Sequence, residues 1–373
     1  MYVQRRLLLG FAFIFGLFVL AGCDTFEPGV PDLEPGIWNE LSGGEGTVCA
    51  DGSEYSYFAH AGDTEKLVID FQGGGACWNA QSCSQPTSEE TRGLYLPKLL
   101  PGDITRATPQ GIYDRDNEAN PVGDWNHVYV PYCTGDLHIG NATQNYSLED
   151  GESLEIQHKG AVNAQAALDW TFETFAEPEA VFITGCSAGA YGAAYWTETI
   201  KAQYADTPVY QLGDCGAGVA SDAFTETIAA SWNASATFPD ITFDANAVTN
   251  TYIDTLENSD DLKMAQYNSL FDGTQTFFYA FGMGQSVTPE LANEWSNLML
   301  TSMTTLEDSS ETFAAYISLA DDDNNLDNGT QHCIIGAENF YNLETNGVNF
   351  RDWLDDYVNG REVESVKVTQ GEE

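Results

Sequence analysis

The pentapeptide Gly185-Cys186-Ser187-Ala188-Gly189 is the segment whose residue types and spacing best suit covalent chemistry. A serine hydroxyl attacks a carbonyl carbon when a base takes its proton and fixed donors hold the oxygen that becomes charged. Gly-x-Ser-x-Gly does this where a buried strand enters it and a helix leaves it, because the turn is too tight for side chains at the flanking positions. Residues 180–184 (AVFIT) predict the strand and residues 190–204, rich in alanine, predict the helix. Ser187 is therefore the candidate nucleophile. The amide of Ala188, at the start of that helix, is a candidate oxyanion donor.

A second glycine run, Gly73-Gly74-Gly75, directly follows the apolar residues 66–71 (KLVIDF). An early glycine loop after a strand supplies further backbone donors in hydrolases with this elbow. Such enzymes order their residues Ser, acid, His along the chain. Of the five histidines, His60, His127, His138, His158 and His332, only His332 follows Ser187, which makes it the candidate base. His127 sits in an apolar strand and reads as a satisfied core residue, while His60 and His158 read as surface. The acid is open on these grounds. Asp272 ends a short apolar run before Gly273, Asp321, Asp322, Asp323 and Asp327 cluster near His332, and Asp254 and Asp214 remain. That cluster lacks the glycine and terminal Glu of an EF-hand loop.

These residues need a scaffold. Residues 66–71, 125–130 (WNHVYV), 180–184, 208–212 and 312–319 predict strands, and residues 155–175, 190–204 and 348–358 predict helices. Strands alternating with helices imply a mainly parallel sheet flanked by helices, an α/β-hydrolase-type fold. Residues 216–265 show no strand run and predict a helical insertion forming a cap. No internal repeat or second linker occurs, so residues 46–373 are expected to be one catalytic domain.

The chain opens with Arg5 and Arg6, continues apolar through residues 7–20, and reaches Leu20-Ala21-Gly22-Cys23. This predicts a secretory signal peptide over residues 1–22, short for a membrane-spanning helix. The Leu-Ala-Gly-Cys ending is similar to a bacterial lipobox, which implies lipidation of Cys23 and anchoring to a membrane on its periplasmic or extracellular side. Residues 23–45, with Pro28, Pro31 and Pro35, are expected to be a flexible tether. The formal net charge is −44, with a pI near 4.1. Without the signal, 11 basic residues face 57 acidic ones, which argues against a nucleic-acid partner. An acidic surface of this kind is tolerable where salt screens it. The 43% hydrophobic content excludes a disordered acidic chain. Besides Cys23, Cys49, Cys77, Cys83, Cys133, Cys186, Cys215 and Cys333 are disulfide candidates for an exported protein, and no CxxC pair suggests a metal.

Several segments together resemble the pectin acetylesterases and the Notum carboxylesterases. Gly73-Gly74-Gly75-Ala76-Cys77-Trp78-Asn79 with Cys83 is similar to the family's glycine loop and small disulfide. Val130-Pro131-Tyr132-Cys133-Thr134-Gly135-Asp136 resembles its Pro-Tyr-Cys-x-x-Asp segment. Gly185-Cys186-Ser187-Ala188-Gly189-Ala190 is similar to the plant enzymes' Gly-Cys-Ser-Ala-Gly-Gly. Leu270-Phe271-Asp272 and His332 fall where the family carries its triad acid and base. The resemblance implies Asp272 as the acid, an oxyanion hole from Gly74, Gly75 and Ala188, and disulfides Cys77–Cys83 and Cys49–Cys133. It implies ester hydrolysis with no metal or organic cofactor. The expected substrate is an O-acetylated polysaccharide; a longer acyl ester is the alternative, and a glycan-binding lipoprotein without catalysis is the reading of another class. The chain departs from Notum in having Gly75-Ala76 where Notum has an aromatic, and Ala190 replaces a glycine after the elbow.

Overall fold

The computed structural model describes residues 33–88, 91–100, 109–319 and 331–368. Its frame is a sheet in which β3 (Leu67–Phe71), β7 (Val181–Cys186), β8 (Val209–Asp214), β9 (Leu262–Ser269) and β10 (Phe313–Ser318) run parallel in that order. On the other side of β3 lies β4 (Asn126–Val130), also parallel, followed by β2 (Ser56–His60), antiparallel to β4, and β1 (Trp38–Ser42), antiparallel to β2. The short β13 (Val366–Lys367) closes the far edge beside β10.

Parallel strands must be covered on both faces, so their sequences lose alternation and become continuously apolar. Every residue of β3, β8 and β10 is buried accordingly. Leu67, Ile69 and Phe71 belong to one core with Ala164 and Leu168 of α2 (Gly160–Thr174) and Ala193 and Ile200 of α3 (Ala188–Gln203). Val68, Phe182, Tyr267 and Tyr316 belong to a second core with α8 (Phe350–Val358). That helix places Phe350, Trp353, Leu354, Tyr357 and Val358 on one stripe, the spacing a one-sided helix requires. Asn349 caps it by accepting the Asp352 N–H.

The connections differ from the sequence-based expectation in three places. Residues 155–158 are strand rather than helix: β5 (Ala142–Ser147) and β6 (Ser153–His158) form an antiparallel hairpin, and α2 begins only at Gly160. The polar alternation of β6 matches a ribbon with one wet face, and the apolar helical spacing begins beyond it. His158 is consequently buried, not on the surface; its Nδ1 is 3.0 Å from the Thr134 carbonyl and its Nε2 3.0 Å from the Tyr146 hydroxyl. Within residues 216–265, α4 (Asp222–Trp232) and α5 (Ala247–Glu257) form the helical insertion, but Leu262 already starts β9.

The tether, expected through residue 45, ends short of Trp38. β1 pairs with β2, and Trp38 packs edge-on against His60 and His127. The signal segment and Cys23 lie outside the described residues, as do Asp321, Asp322, Asp323 and Asp327. Between β9 and β10 run α6 (Gly273–Gly282) and α7 (Pro289–Ser309), the latter with Thr288 as cap and proline at its start. The remaining short elements are α1 (Ala80–Cys83) and the pair β11 (Glu344–Thr345) and β12 (Val348–Asn349). Among the described residues no helix is long and apolar enough to cross a membrane.

Candidate active site

Ser187 stands between β7 and α3 with φ 58° and ψ −120°, a conformation that side chains adopt only where the surroundings impose it. Its N–H donates to the Asp214 carbonyl at 2.8 Å. The elbow's two glycines are steric necessities. A Cβ on Gly189 would lie 1.8 Å from the Phe71 carbonyl oxygen, and one on Gly185 would lie 2.4 Å from the Gly189 oxygen. Hence β7 can turn into α3 directly against the end of β3.

The glycine loop after β3 lies against the same turn. A Cβ on Gly73 would meet the Cys186 oxygen at 2.3 Å and Ser187 Cβ at 3.0 Å, and Gly75 has φ +75°. The loop is fastened from its far side: Leu96 N–H donates to the Gly74 carbonyl and Ala76 N–H to the Leu94 carbonyl, each at 3.0 Å. Among the described residues the Gly74 and Gly75 amides donate to no acceptor. The Ala188 amide opens α3, where helical N–H groups have no intrahelical partner. Gly73, which leads into Gly74 and Gly75, and Ala188 thus both adjoin Ser187.

Asp272 and His332 meet at the sheet's same edge. His332 Nδ1 lies 2.7 Å from Asp272 Oδ2. Asp272 is fully buried and caps α6, its Oδ1 accepting the Gln275 N–H at 2.9 Å while Oδ2 accepts the Gln275 side-chain amide at 3.0 Å. Gln275 in turn accepts the Ala217 N–H, which holds this acid to the segment after β8. The His332 side chain is 20% exposed, while its Nε2 is buried and, among the described residues, has no hydrogen-bond partner. Burial disfavours the charged ring, but the Asp272 carboxylate outweighs burial and raises the histidine's pKa above 6.5. Such an arrangement lets Nε2 accept a proton while Asp272 stabilises the cation that results.

The pairs Cys49–Cys133 and Cys77–Cys83 are disulfides. A third bond, Cys186–Cys333, was not read from the sequence, although Cys186 flanks Ser187 and Cys333 flanks His332. Cys215 is free and buried; burial, then the Asp272 and Asp214 charges, push its thiol well above its ordinary value. The groupings Cys77/Cys83/His158, Cys215/His332/Cys333 and Cys186/Asp214/Cys333 each include a disulfide sulfur, which offers no thiolate to a metal. His127 is buried, with Nε2 3.3 Å from Asp70 Oδ2 and, among the described residues, no partner for Nδ1. It lies in β4, apart from the serine elbow.

Residues 40–262 match the Pectinacetylesterase family. The chain belongs to that family. Pectinacetylesterase-family proteins are carboxylic ester hydrolases. Among curated proteins, the palmitoleoyl-protein carboxylesterase NOTUM of Schmidtea mediterranea is 28% identical over 160 residues, 41% of this chain but only 28% of that relative's length. Two crystal forms of the Wnt deacylase Notum from Drosophila share the fold. One superposes with a TM-score of 0.60 at 18% identity, covering 88% of this chain and 95% of that one; the other gives 0.58 at 17%, covering 90% and 98%. This family member has the α/β-hydrolase-type fold expected of it.

Proposed function

We propose that the chain hydrolyses esters through an acyl-enzyme on Ser187 and that its substrate is an O-acetylated, uncharged polysaccharide. The observation that carries the reading is the 2.7 Å contact from Asp272 to His332, a histidine whose neighbour Cys333 is bonded to Cys186 beside Ser187. His332 Nε2 takes the Ser187 proton as Oγ attacks the ester carbonyl, and Asp272 stabilises the imidazolium. The amides of Gly74, Gly75 and Ala188 hold the oxyanion. His332 returns the proton to the leaving alkoxide, then activates the water that releases the acid. None of these steps calls for a metal or organic cofactor.

A short acyl group is favoured by the aromatic packing beside the glycine loop. Trp78, three residues after Gly75, lies edge-on against Phe224 of α4, at 4.8 Å, and Phe281 of α6, at 5.5 Å. The formal charge of −44 disfavours a polyanionic substrate. Likeness to a palmitoleoyl-protein carboxylesterase keeps a longer acyl ester as the second reading. The Leu-Ala-Gly-Cys signal supports export and a lipid anchor at Cys23.

Rates on p-nitrophenyl acetate, butyrate, octanoate and palmitate, with acetate release from acetylated xylan and pectin, test the reading. Falling rates with chain length and release from xylan above pectin are expected. A preference for octanoate or palmitate would support the longer-acyl reading, and no turnover with no fluorophosphonate labelling would sink both.

A further inference from the structure

Asp214, the last residue of β8, is fully buried and stands outside the serine, histidine and acid set. Its backbone carbonyl accepts the Ser187 N–H at 2.8 Å. Its carboxylate accepts the Ile334 N–H at 2.8 Å on Oδ2 and 3.0 Å on Oδ1, and the Ile335 N–H at 2.8 Å on Oδ2. One residue therefore holds the nucleophile through its main chain and the segment immediately after His332 through its side chain. We propose that Asp214 is a positioning residue for this esterase, its ionised carboxylate keeping the His332 loop in register with Ser187 and its protonation loosening that loop.

The charge matters because of the bonds the carboxylate accepts. The Ile334 and Ile335 amides both reach Oδ2 at 2.8 Å, and a charged carboxylate accepts such bonds about twice as strongly as a neutral acid, which would also lose the Oδ1 contact. The groups facing it come from every neighbouring element. On the histidine loop, the ring of His332 favours the anion and the Ile335 and Ile334 amides do the same. On β8's own continuation Cys215 adds a weak favourable contact. From β9, Tyr267 is kept neutral, its own pKa raised first by burial and then by the Cys215 and Asp214 charges. From β7, among the described residues, comes the uncharged Cys186–Cys333 bond. Burial is the largest influence and lifts the Asp214 carboxyl to about 7, inside the range where an esterase works.

The inference rests on Ser187 and His332 acting as proposed above, so the variants separate the two ideas. Asparagine copies the protonated acid in shape. We would compare kcat/KM for p-nitrophenyl acetate between about pH 5.5 and pH 9 in the wild type and Asp214→Asn, with Ser187→Ala alongside. A displaced base costs on the order of tenfold to a hundredfold in rate. At high pH Asp214→Asn should be slower by that factor. Below about pH 6, where the wild-type carboxyl is protonated, the two should converge to within about twofold. A deficit constant across pH, or no deficit, would overturn the inference while leaving the nucleophile intact. Ser187→Ala at the wild-type rate would overturn both.

Should Asp214→Asn fail to fold, the wild type alone still decides. The low-field proton shared by His332 and Asp272, recognised by its loss in His332→Ala, should shift in two pH steps, one for each titrating group. A single step would refute the role given to Asp214.

Discussion

Cys186 and Cys333 are bonded to each other, and each is the immediate neighbour of a residue proposed to react: Ser187 on one side, His332 on the other. The bond bridges 147 positions of sequence with two one-residue arms. Cys333 is further fixed by its N–H, which lies 3.1 Å from the Cys215 sulfur. The residues adjoining the proposed nucleophile and base are therefore joined directly, and the helices that separate them in the chain need not transmit their placement.

Replacing this pair by serines should reduce both stability and rate. Closing so long a loop is worth roughly 4–5 kcal/mol in the chain-entropy view. Denaturant unfolding should report a loss of that order, and p-nitrophenyl acetate turnover should fall at least tenfold under conditions where the variant stays folded. The pair Cys77–Cys83, which closes only a short loop, serves as the comparison. Equal kcat losses in the two double variants would mean that the Cys186–Cys333 bond has no special part in the reaction.

Ser187→Ala and His332→Ala should each lower kcat by about 10⁴-fold or more, and the double variant should be scarcely worse, because the pair acts as one unit. Active-site labelling by a fluorophosphonate should vanish with Ser187.

Asp272→Asn isolates charge from structure. Asparagine caps helices as well as aspartate does, so α6 should persist by circular dichroism. The rate should nevertheless fall by about 10³- to 10⁴-fold, since the imidazolium loses its counter-charge. A loss below tenfold would remove Asp272 from the reaction.

Activity requires neutral His332, and the net effect of its surroundings is to favour the proton. The acid limb of kcat/KM should accordingly bend above pH 6.5, and in Asp272→Asn the bend should move to lower pH. The same linkage gives stability that is full below about pH 6.5 and is lost as pH rises through the raised value. Thermal melts across this range check it.

Gly189→Ala should prevent stable folding, because its Cβ would sit 1.8 Å from a backbone oxygen of β3 that cannot move without the sheet. An expressed, soluble variant of wild-type Tm would contradict the described elbow.

Much of this arrangement is written in short-range pattern. Residues 66–71, 180–184 and 312–319 announce strands because parallel strands buried on both faces are continuous apolar runs. The serine elbow follows from two glycines at fixed offsets. What escaped the sequence was set by contacts remote along the chain. His158 reads as polar surface, yet the hairpin of β5 and β6 buries it against Thr134. The start of β9, Leu262-Lys263-Met264-Ala265, carries a lysine and follows two helices, so it blends into the insertion until β8 and β10 flank it. In the sequence Asp214 is one aspartate among several that could serve as the acid. Its partners are main-chain amides about 120 residues away, and no side-chain pattern signals those. A start signal for α7 was present in Thr288-Pro289-Glu290.

The covalent tie across the elbow also makes the placement of His332 beside Ser187 depend on the redox environment. Thiols stay reduced in the cytosol and pair in oxidising compartments. His332 lies downstream of nearly the whole sheet, and the bond beside it forms only after that sheet has been made and oxidised. A newly synthesised chain carries its serine long before it carries an aligned base. Where thiols stay reduced, the loop carrying His332 would lack this tie, and the proposed reaction would run slower than in an oxidising compartment.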